Sequence, residues 1–282
     1  MAKVLIAGCG DLGSGVAEQL VSQGHQVVGI RRQGQEFPQG VEGITADLLS
    51  LDPSCLPDVQ VIFLIMTPQG RTEQAYRLAY LETAKVLVRR YQDQAGSKPQ
   101  VLFVSSTSVY GQSDGAWVDE SSPVMPLSST AKVLVETEQF LADALPSVAV
   151  RCSGIYGPGR FRMLDKVQSA VDWSHNSWTN RVHRDDVVTG LSLLAQRALQ
   201  GASLPPHVII TDQTPVSMWE VKLWLATQLG VRPAVSEIEH FTPSSGKRIY
   251  AQYLLSQGWQ PQYPSYVSGY QQILHDYLTL HP

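Results

Sequence analysis

The chain has 282 residues, 43% of them hydrophobic and 16% charged, with a formal net charge of −4. These proportions suit an ordinary globular protein, long enough for one large domain or a main domain with a smaller lobe, and give no electrostatic reason for nucleic acid or an anionic membrane as partner. Cys9, Cys55 and Cys152 stand far apart with no C-x-x-C, which argues against a disulfide framework or a metal site and suits a reducing compartment.

Lys3 precedes the apolar run Val4-Leu5-Ile6-Ala7, which stops at Gly8, too short for the core of a signal peptide. No stretch approaches the roughly 20 apolar residues of a membrane span. A soluble, cytoplasmic protein is expected. Lys3–Ala7 reads as a buried strand and Asp11–Gln23 as a helix with Leu12, Val16, Leu20 and Val21 on one face. His25–Ile30 is a second strand, Gly43–Ala46 a weaker third and Gln60–Met66 a fourth. A helix from about Thr72 to Gln94, a strand at Val101–Ser105, a helix at Ser128–Ala144 and a strand at Ser147–Arg151 follow. Fully apolar strands separated by helices predict an α/β fold of the Rossmann type, a doubly wound parallel sheet covered on both faces.

Beyond Tyr156 the pattern is less regular. Residues 156–183 read as loop, with returns to the main domain in a helix at Asp185–Leu199 and a strand at Pro206–Thr211. The helix Val216–Leu229, a basic turn at Ser245-Gly246-Lys247-Arg248 and a Pro/Tyr-rich tail suggest a smaller C-terminal α+β lobe. The expected division is a binding domain at 1–155, with returns at about 182–212, and a substrate-side lobe at 156–181 and 213–282, with a cleft between them.

Gly8-Cys9-Gly10-Asp11-Leu12-Gly13 is a G-x-G-x-x-G hexamer. Such hexamers also occur in ordinary turns, but this one directly follows an apolar strand and opens an amphipathic helix. That position aims the backbone N–H groups around Asp11 and Leu12, and the helix dipole, at a pyrophosphate. Gly8 would allow the tight turn, Gly10 the close approach of phosphate, and Gly13 the packing of helix on strand. At the end of the second strand, where a carboxylate would accept from an NAD ribose, stand Arg31 and Arg32. Two guanidinium groups suit the 2′-phosphate of NADP, with NAD still open; a solvated basic turn is the competing explanation. Asp47, with Leu48 after it, is placed to reach the adenine amino group or, equally well, to cap the turn over Leu48–Leu51. Thr67 follows the fourth strand, at the carboxyl edge where a cofactor should lie.

Ser105-Ser106-Thr107-Ser108-Val109-Tyr110-Gly111 resembles the S-S-x-x-V-Y-G segment of extended short-chain dehydrogenases/reductases, the NAD(P)-dependent epimerase/dehydratase group. Lys132 and Glu136 in K-x-x-x-E, Arg151 with Ile155-Tyr156-Gly157-Pro158-Gly159, Val182-His183-Arg184-Asp185-Asp186, and Gly258-Trp259 follow in that family's order. The resemblance covers nearly the whole chain. It implies hydride transfer coupled to proton transfer by a Tyr in Y-x-x-x-K, with a Ser or Thr orienting the substrate hydroxyl. Carried over by position, the retained catalytic members are Ser106 and Lys132, and Ser128 stands where the tyrosine belongs. Ser105 and Lys132 would also face the cofactor, Lys132 through the nicotinamide ribose. A serine hydroxyl is a far poorer acid/base than a phenol tuned by a lysine. The first glycine position departs as well: Ala7 fills it.

Tyr156 could supply a replacement phenol or could simply pack a loop. Arg160 and His183 are further candidate substrate contacts, and Asp185 or Asp186 reads most simply as a helix N-cap. Arg162, Arg181, Lys247 and Arg248 would suit an anionic substrate if they converged, and are otherwise surface charges. Trp173, Asn176 and Trp178 could shape a pocket or pack the loop. Cys9 could be redox-sensitive, but a small buried residue explains it. The resemblance therefore leads to an NADP-dependent epimerase/dehydratase or reductase acting on a small molecule, a nucleotide sugar being the expected class, as monomer or homodimer. The alternative is a catalytically silent NADP-binding redox sensor or scaffold.

Overall fold

The computed structural model describes all residues except 33, 35, 95, 170–172, 174, 235–240 and 281–282. The chain divides into two compact units: unit 1 is Met1–Val109, Val124–Arg151 and Val187–Val208, and unit 2 is Tyr110–Pro123, Cys152–Asp186 and Ile209–Pro282.

Unit 1 is built on a seven-stranded sheet. Its first five strands are β1 (Lys3–Ala7), β2 (Gln26–Arg31), β3 (Val41–Thr45), β4 (Val61–Leu64) and β5 (Gln100–Ser106). The spatial order is His207–Ile210, Ser147–Cys152, β5, β4, β1, β2, β3. Pairing is parallel from β3 through to β5. Val4 to Ala7 of β1 are fully buried, and so is every residue of β4. Parallel strands covered on both faces need this uninterrupted apolar sequence. The order reverses between β1 and β4, which creates the crevice at their carboxyl ends where this architecture binds ligands.

The helix α1 (Asp11–Ser22) returns the chain from β1 to β2 and buries Leu12, Val16 and Leu20 at a spacing of four. The helix expected over Thr72–Gln94 is interrupted. Thr72 caps Glu73–Tyr76, a π-helical stretch follows at Arg77–Glu82, and α-helix resumes at Thr83–Tyr91. At that junction the Thr83 hydroxyl donates to the Ala79 carbonyl at 2.6 Å, competing with the helix's own ladder. The helices Ser129–Ala144 and Arg184–Leu199 complete the unit.

Among its described residues, unit 2 holds three short strand pairs. Asp114–Val118 runs parallel to Gly246–Ile249, and Gly154–Tyr156 parallel to Arg181–His183; Trp178–Thr179 is antiparallel to Val216–Ser217. Its core gathers Tyr156, Leu164, Trp219, Leu225, Tyr270 and Ile273 from the helices Arg162–Gln168, Met218–Leu229 and Tyr266–Leu280 and the strand before them. Two expectations are corrected here. Residues 110–123 group with unit 2, because Asp114–Val118 finds its partner strand near residue 248. The stretch 245–248 is mostly that partner strand rather than a basic turn. Of the stretch read as loop, residues 170–172 and 174 lie outside the described residues.

Candidate functional site

The loop after β1 is fixed from two sides. The backbone N–H groups of Gly8 and Cys9 donate to the Ile30 carbonyl at 3.1 and 2.8 Å, which ties the loop to β2. Gly8 has φ +102°, and a Cβ there would fall 1.8 Å from the Ile65 carbonyl oxygen at the end of β4. Only glycine fits. A Cβ on Gly13 would fall 2.3 Å from the Gly8 carbonyl, so α1 packs directly on the loop. Gly10 differs: it is the N-cap of α1, without a side-chain cap, and nothing lies within 4 Å of where its Cβ would be. The first turn of α1 therefore begins beside open space at the crevice. Uncapped N–H groups and a dipole's positive end favour an anion there.

Arg31, at the end of β2, reaches back to this loop. Its Nη1 donates to the Cys9 carbonyl at 3.4 Å, and its guanidinium lies 4.5 Å from the centre of the Phe37 ring. Among the described residues, its buried Nη2 has no hydrogen-bond partner. A buried guanidinium donor with no acceptor is costly, and an anionic group at this loop would satisfy it. The residues present thus fit a dinucleotide. Arg32 is exposed, as is Thr67 beyond β4. Asp47 is exposed and accepts from the Leu49 N–H at 3.0 Å, so its carboxylate serves the local turn while Leu48 is buried. Cys9 is fully buried, and desolvation pushes its thiol up, the behaviour of a packed residue.

Around the end of β5 the serines have separate tasks. The Ser105 hydroxyl donates to Glu138 Oε1 at 2.6 Å. Glu138 also receives Arg151 Nε at 3.2 Å and Nη2 at 2.7 Å, which makes a buried bidentate pair. Sequence reasoning singled out Arg151 only as part of a motif and missed Glu138; the spacing Lys132, Glu136, Glu138 gave no sign of which carboxylate turned inward. Glu136 turns outward and pairs with Arg77. The Ser106 hydroxyl accepts from the Ser108 N–H at 3.1 Å.

Ser128 is the N-cap of the helix Ser129–Ala144. Its Oγ accepts from the Ala131 N–H at 3.1 Å and lies 3.0 Å from the Thr130 hydroxyl. Lys132 is exposed one turn later, its N–H donating to the Ser128 carbonyl at 3.0 Å. Ser128→Ala is expected to lower stability by about 1 kcal/mol, the usual worth of such a cap. Thermal unfolding should show a fall of about 2–4 °C, with NADPH affinity unchanged.

In unit 2, Tyr156 is 4% exposed, stacks on Tyr270 with ring centres 4.7 Å apart and donates to the Ser265 carbonyl at 3.3 Å. Burial, before the nearby Asp212 charge, pushes its phenol well above the usual range. His183 is fully buried with its ring 3.9 Å from that of Tyr263, and desolvation holds its imidazole low. The Asp185 N–H donates to its Nδ1 at 3.3 Å. Arg160 is half-buried in the turn after Gly157. The helix expected to be capped by Asp185 or Asp186 instead begins at Arg184, with both acids inside its first turn. Asp186 is 1% exposed and accepts from the backbone of Gln262 at 2.6 Å and Tyr263 at 3.0 Å, so it anchors the C-terminal segment. Asn176 bonds Phe241 and Trp219 backbone groups and is likewise an anchor. Arg162 lies in the first turn of Arg162–Gln168, and Arg181 is 5% exposed with its Nη1 on the Thr179 hydroxyl at 3.1 Å. Among the described residues no group of His, Cys, Asp and Glu could hold a metal ion, and no helix is long and apolar enough to cross a membrane.

The model of the NAD dependent epimerase/dehydratase family matches residues 4–204. Protein YeeZ of Escherichia coli (strain K12) is 33% identical over 211 residues, covering 70% of this chain and 74% of its own length. Short-chain dehydrogenase/reductase family 42E member 1 of Xenopus laevis is 27% identical over 270 residues, covering 81% of this chain and 68% of its own. A solved structure from Methylobacillus flagellatus, named for the NAD-dependent epimerase/dehydratase class, is 34% identical with a TM-score of 0.82, covering 98% of this chain and 99% of its own.

Proposed function

Since the chain belongs to the NAD dependent epimerase/dehydratase family, within the short-chain dehydrogenases/reductases, we propose that it is an enzyme that binds NADP(H) on unit 1 and acts on a nucleotide sugar or a related carbonyl or alcohol. The observation that carries this reading is Arg31: a guanidinium placed by β2 against the glycine loop, with one donor group buried and unmatched. A 2′-phosphate would supply the missing acceptor through charge-assisted hydrogen bonds.

In this reading Gly8 and Gly13 shape the loop, and Gly10, Asp11 and Leu12 present backbone N–H groups to the pyrophosphate. Arg31 and Arg32 hold the 2′-phosphate, Asp47 and Leu48 flank the adenine, and Thr67 lies along the dinucleotide. Lys132 hydrogen-bonds the nicotinamide ribose. Ser105 contributes only its backbone, its hydroxyl being committed to Glu138. A nicotinamide cofactor supplies reversible hydride exchange when bound. Ser106 orients the substrate hydroxyl, and Ser128 holds a substrate oxygen or a water with the lone pair its cap bond leaves. Tyr156 and His183 are enclosed by aromatic neighbours and are given no part in the chemistry.

Calorimetric titration with NADPH and NADH in parallel tests the cofactor half. NADPH should bind more tightly, and Arg31→Ala should weaken it about ten- to a hundredfold, the worth of one or two hydrogen bonds to a charged group, while NADH changes little. Equal affinities, or an Arg31→Ala protein that binds as before, would remove NADP from the assignment. For the catalytic half, turnover of a nucleotide sugar found by screening should fall in Ser106→Ala and Lys132→Ala.

Ser128 favours a second reading, a silent NADP-binding sensor or scaffold, because the oxygen in the tyrosine's place already caps a helix. That reading predicts tight NADPH binding with no hydride exchange across the same substrates.

A further inference from the structure

Within unit 2, the strands Asp114–Val118 and Gly246–Ile249 carry a cationic arrangement that the cofactor reading does not use. Arg248 lies directly across from Trp117 in this parallel pair. Its guanidinium carbon is 4.8 Å from the centre of the Trp117 ring and 5.0 Å from that of Trp178. Its Nε donates to the Gly115 carbonyl at 2.8 Å. Two indoles and a carbonyl therefore fix a side chain that otherwise has several free torsions. Among the described residues, Nη1 and Nη2 have no hydrogen-bond partner and no carboxylate pairs with Arg248. The neighbouring Lys247 is turned to the Tyr110 carbonyl and takes no part.

The backbone is shaped to keep Trp178 in this place. Gly246 has φ +86°, and a Cβ there would fall 2.4 Å from the Trp178 carbonyl oxygen. A Cβ on Gly115, at φ +79°, would sit 3.1 Å from the indole nitrogen of the same residue. Trp117 is 58% exposed, so packing into the core of unit 2 does not account for its indole. Its contact with the guanidinium does.

We propose that Arg248, held by Trp117, Trp178 and the Gly115 carbonyl, is a binding site for an oxoanion, a phosphate or carboxylate group taken by the free Nη edge. A planar fork whose Nε is already engaged presents its two terminal nitrogens in one plane, the geometry that matches two oxygens of such a group. The ordering cost that weakens most surface arginines as anion receptors is met on folding, not on binding. The site stands on unit 2 residues alone and does not depend on the cofactor assignment.

Nuclear magnetic resonance of the full chain with 15N-labelled tryptophan tests this. The indole N–H signals of Trp117 and Trp178 are assigned from Trp117→Phe and Trp178→Phe. Sodium phosphate, sodium acetate and sodium chloride are then titrated at matched ionic strength, which holds screening constant. The site predicts saturable shifts of both signals in the millimolar range with phosphate, acetate or both, and none with chloride. Saturation by phosphate alone assigns a phosphate ligand, and by acetate alone a carboxylate. Arg248→Gln should abolish saturation; Arg248→Lys, which keeps the charge but not the fork, should weaken it about tenfold. Shifts that follow chloride in the wild-type chain, or saturation that survives Arg248→Gln, would overturn the proposal, and the wild-type titration decides even if a variant fails to fold.

Discussion

Gly8→Ala is expected to destabilise unit 1 by about 3 kcal/mol or more and to abolish NADPH binding. Two costs combine. An alanine at φ +102° occupies a region that costs about 1–3 kcal/mol for a residue with a Cβ. That Cβ would also stand 1.8 Å from the Ile65 oxygen and 2.7 Å from its carbonyl carbon. Those atoms are backbone and cannot rotate away. They are held in turn by the Ile65 N–H, which donates to the Ala7 carbonyl at 2.8 Å, and by the pairing of Ala7 with Leu64. Relief requires either prising β1 from β4 at the crevice or rebuilding the turn, and overpacking of this kind adds about 1–3 kcal/mol.

Gly10→Ala separates the structural from the ligand-binding role of the same loop. Its φ is negative, at −86°, with ψ at −148° just beyond the extended region, and its Cβ would meet nothing within 4 Å. Its stability should stay within about 1 kcal/mol of wild type, since alanine caps helices poorly but clashes with nothing. Its affinity for NADPH should nevertheless fall, because the open space beside it is where a phosphate would approach. Thermal unfolding and calorimetry on both variants distinguish these roles. A Gly8→Ala protein that melts like wild type would overturn the account of the turn, and a Gly10→Ala protein that binds NADPH normally would move the phosphates elsewhere.

This contrast also marks what the amino-acid sequence discloses. The run Val4–Ala7, the glycines after it and the spacing of Leu12, Val16 and Leu20 are local signals, and strand, turn and helix follow from them directly. Arg31 at the end of β2 is equally local, but the Phe37 ring beneath its guanidinium is not, since nothing in the intervening loop announces that contact. Asp114–Val118 carries no strong alternation, because its buried residues are Gly115, which has no side chain, and Val118, and its partner lies some 130 residues away. Gly246–Ile249 was hidden for the complementary reason: only Ile249 is buried, so the segment looks like a polar turn. The helix Tyr266–Leu280 is legible in principle: Tyr266, Tyr270, Ile273, Leu274 and Tyr277 fall on a helical period, but the Pro/Tyr-rich composition of the tail masks where it starts. Ser128 and Glu138 show the remaining gap. The resemblance places Ser128 where the family's tyrosine is expected, and only geometry shows its oxygen capping a helix and Glu138 facing inward.

Glu138 leads to the second large effect. Arg151 is 4% exposed and makes a two-point contact with Glu138, which also accepts from Ser105. Removing one member of a buried pair leaves the other charge without its counter-ion, at a cost of about 3–5 kcal/mol. Arg151→Ala and Glu138→Gln are both expected in that range by denaturant unfolding. The double variant Arg151→Met/Glu138→Leu should recover most of the loss, because two apolar side chains of similar volume leave no buried charge unmatched. Ser105→Ala removes one hydrogen bond to the carboxylate and should cost about 1.5–3 kcal/mol. The pair joins three elements: the helix that carries Lys132, the end of β5 beside Ser106, and the strand Ser147–Cys152. If its task is to hold Lys132 in register, NADPH affinity should fall in each single variant in proportion to the loosening and return in the double variant. Stability that recovers while affinity does not would mean that the charge itself, and not the packing it secures, acts on the cofactor. A double variant as unstable as the singles would show that the ion pair cannot be replaced by shape alone.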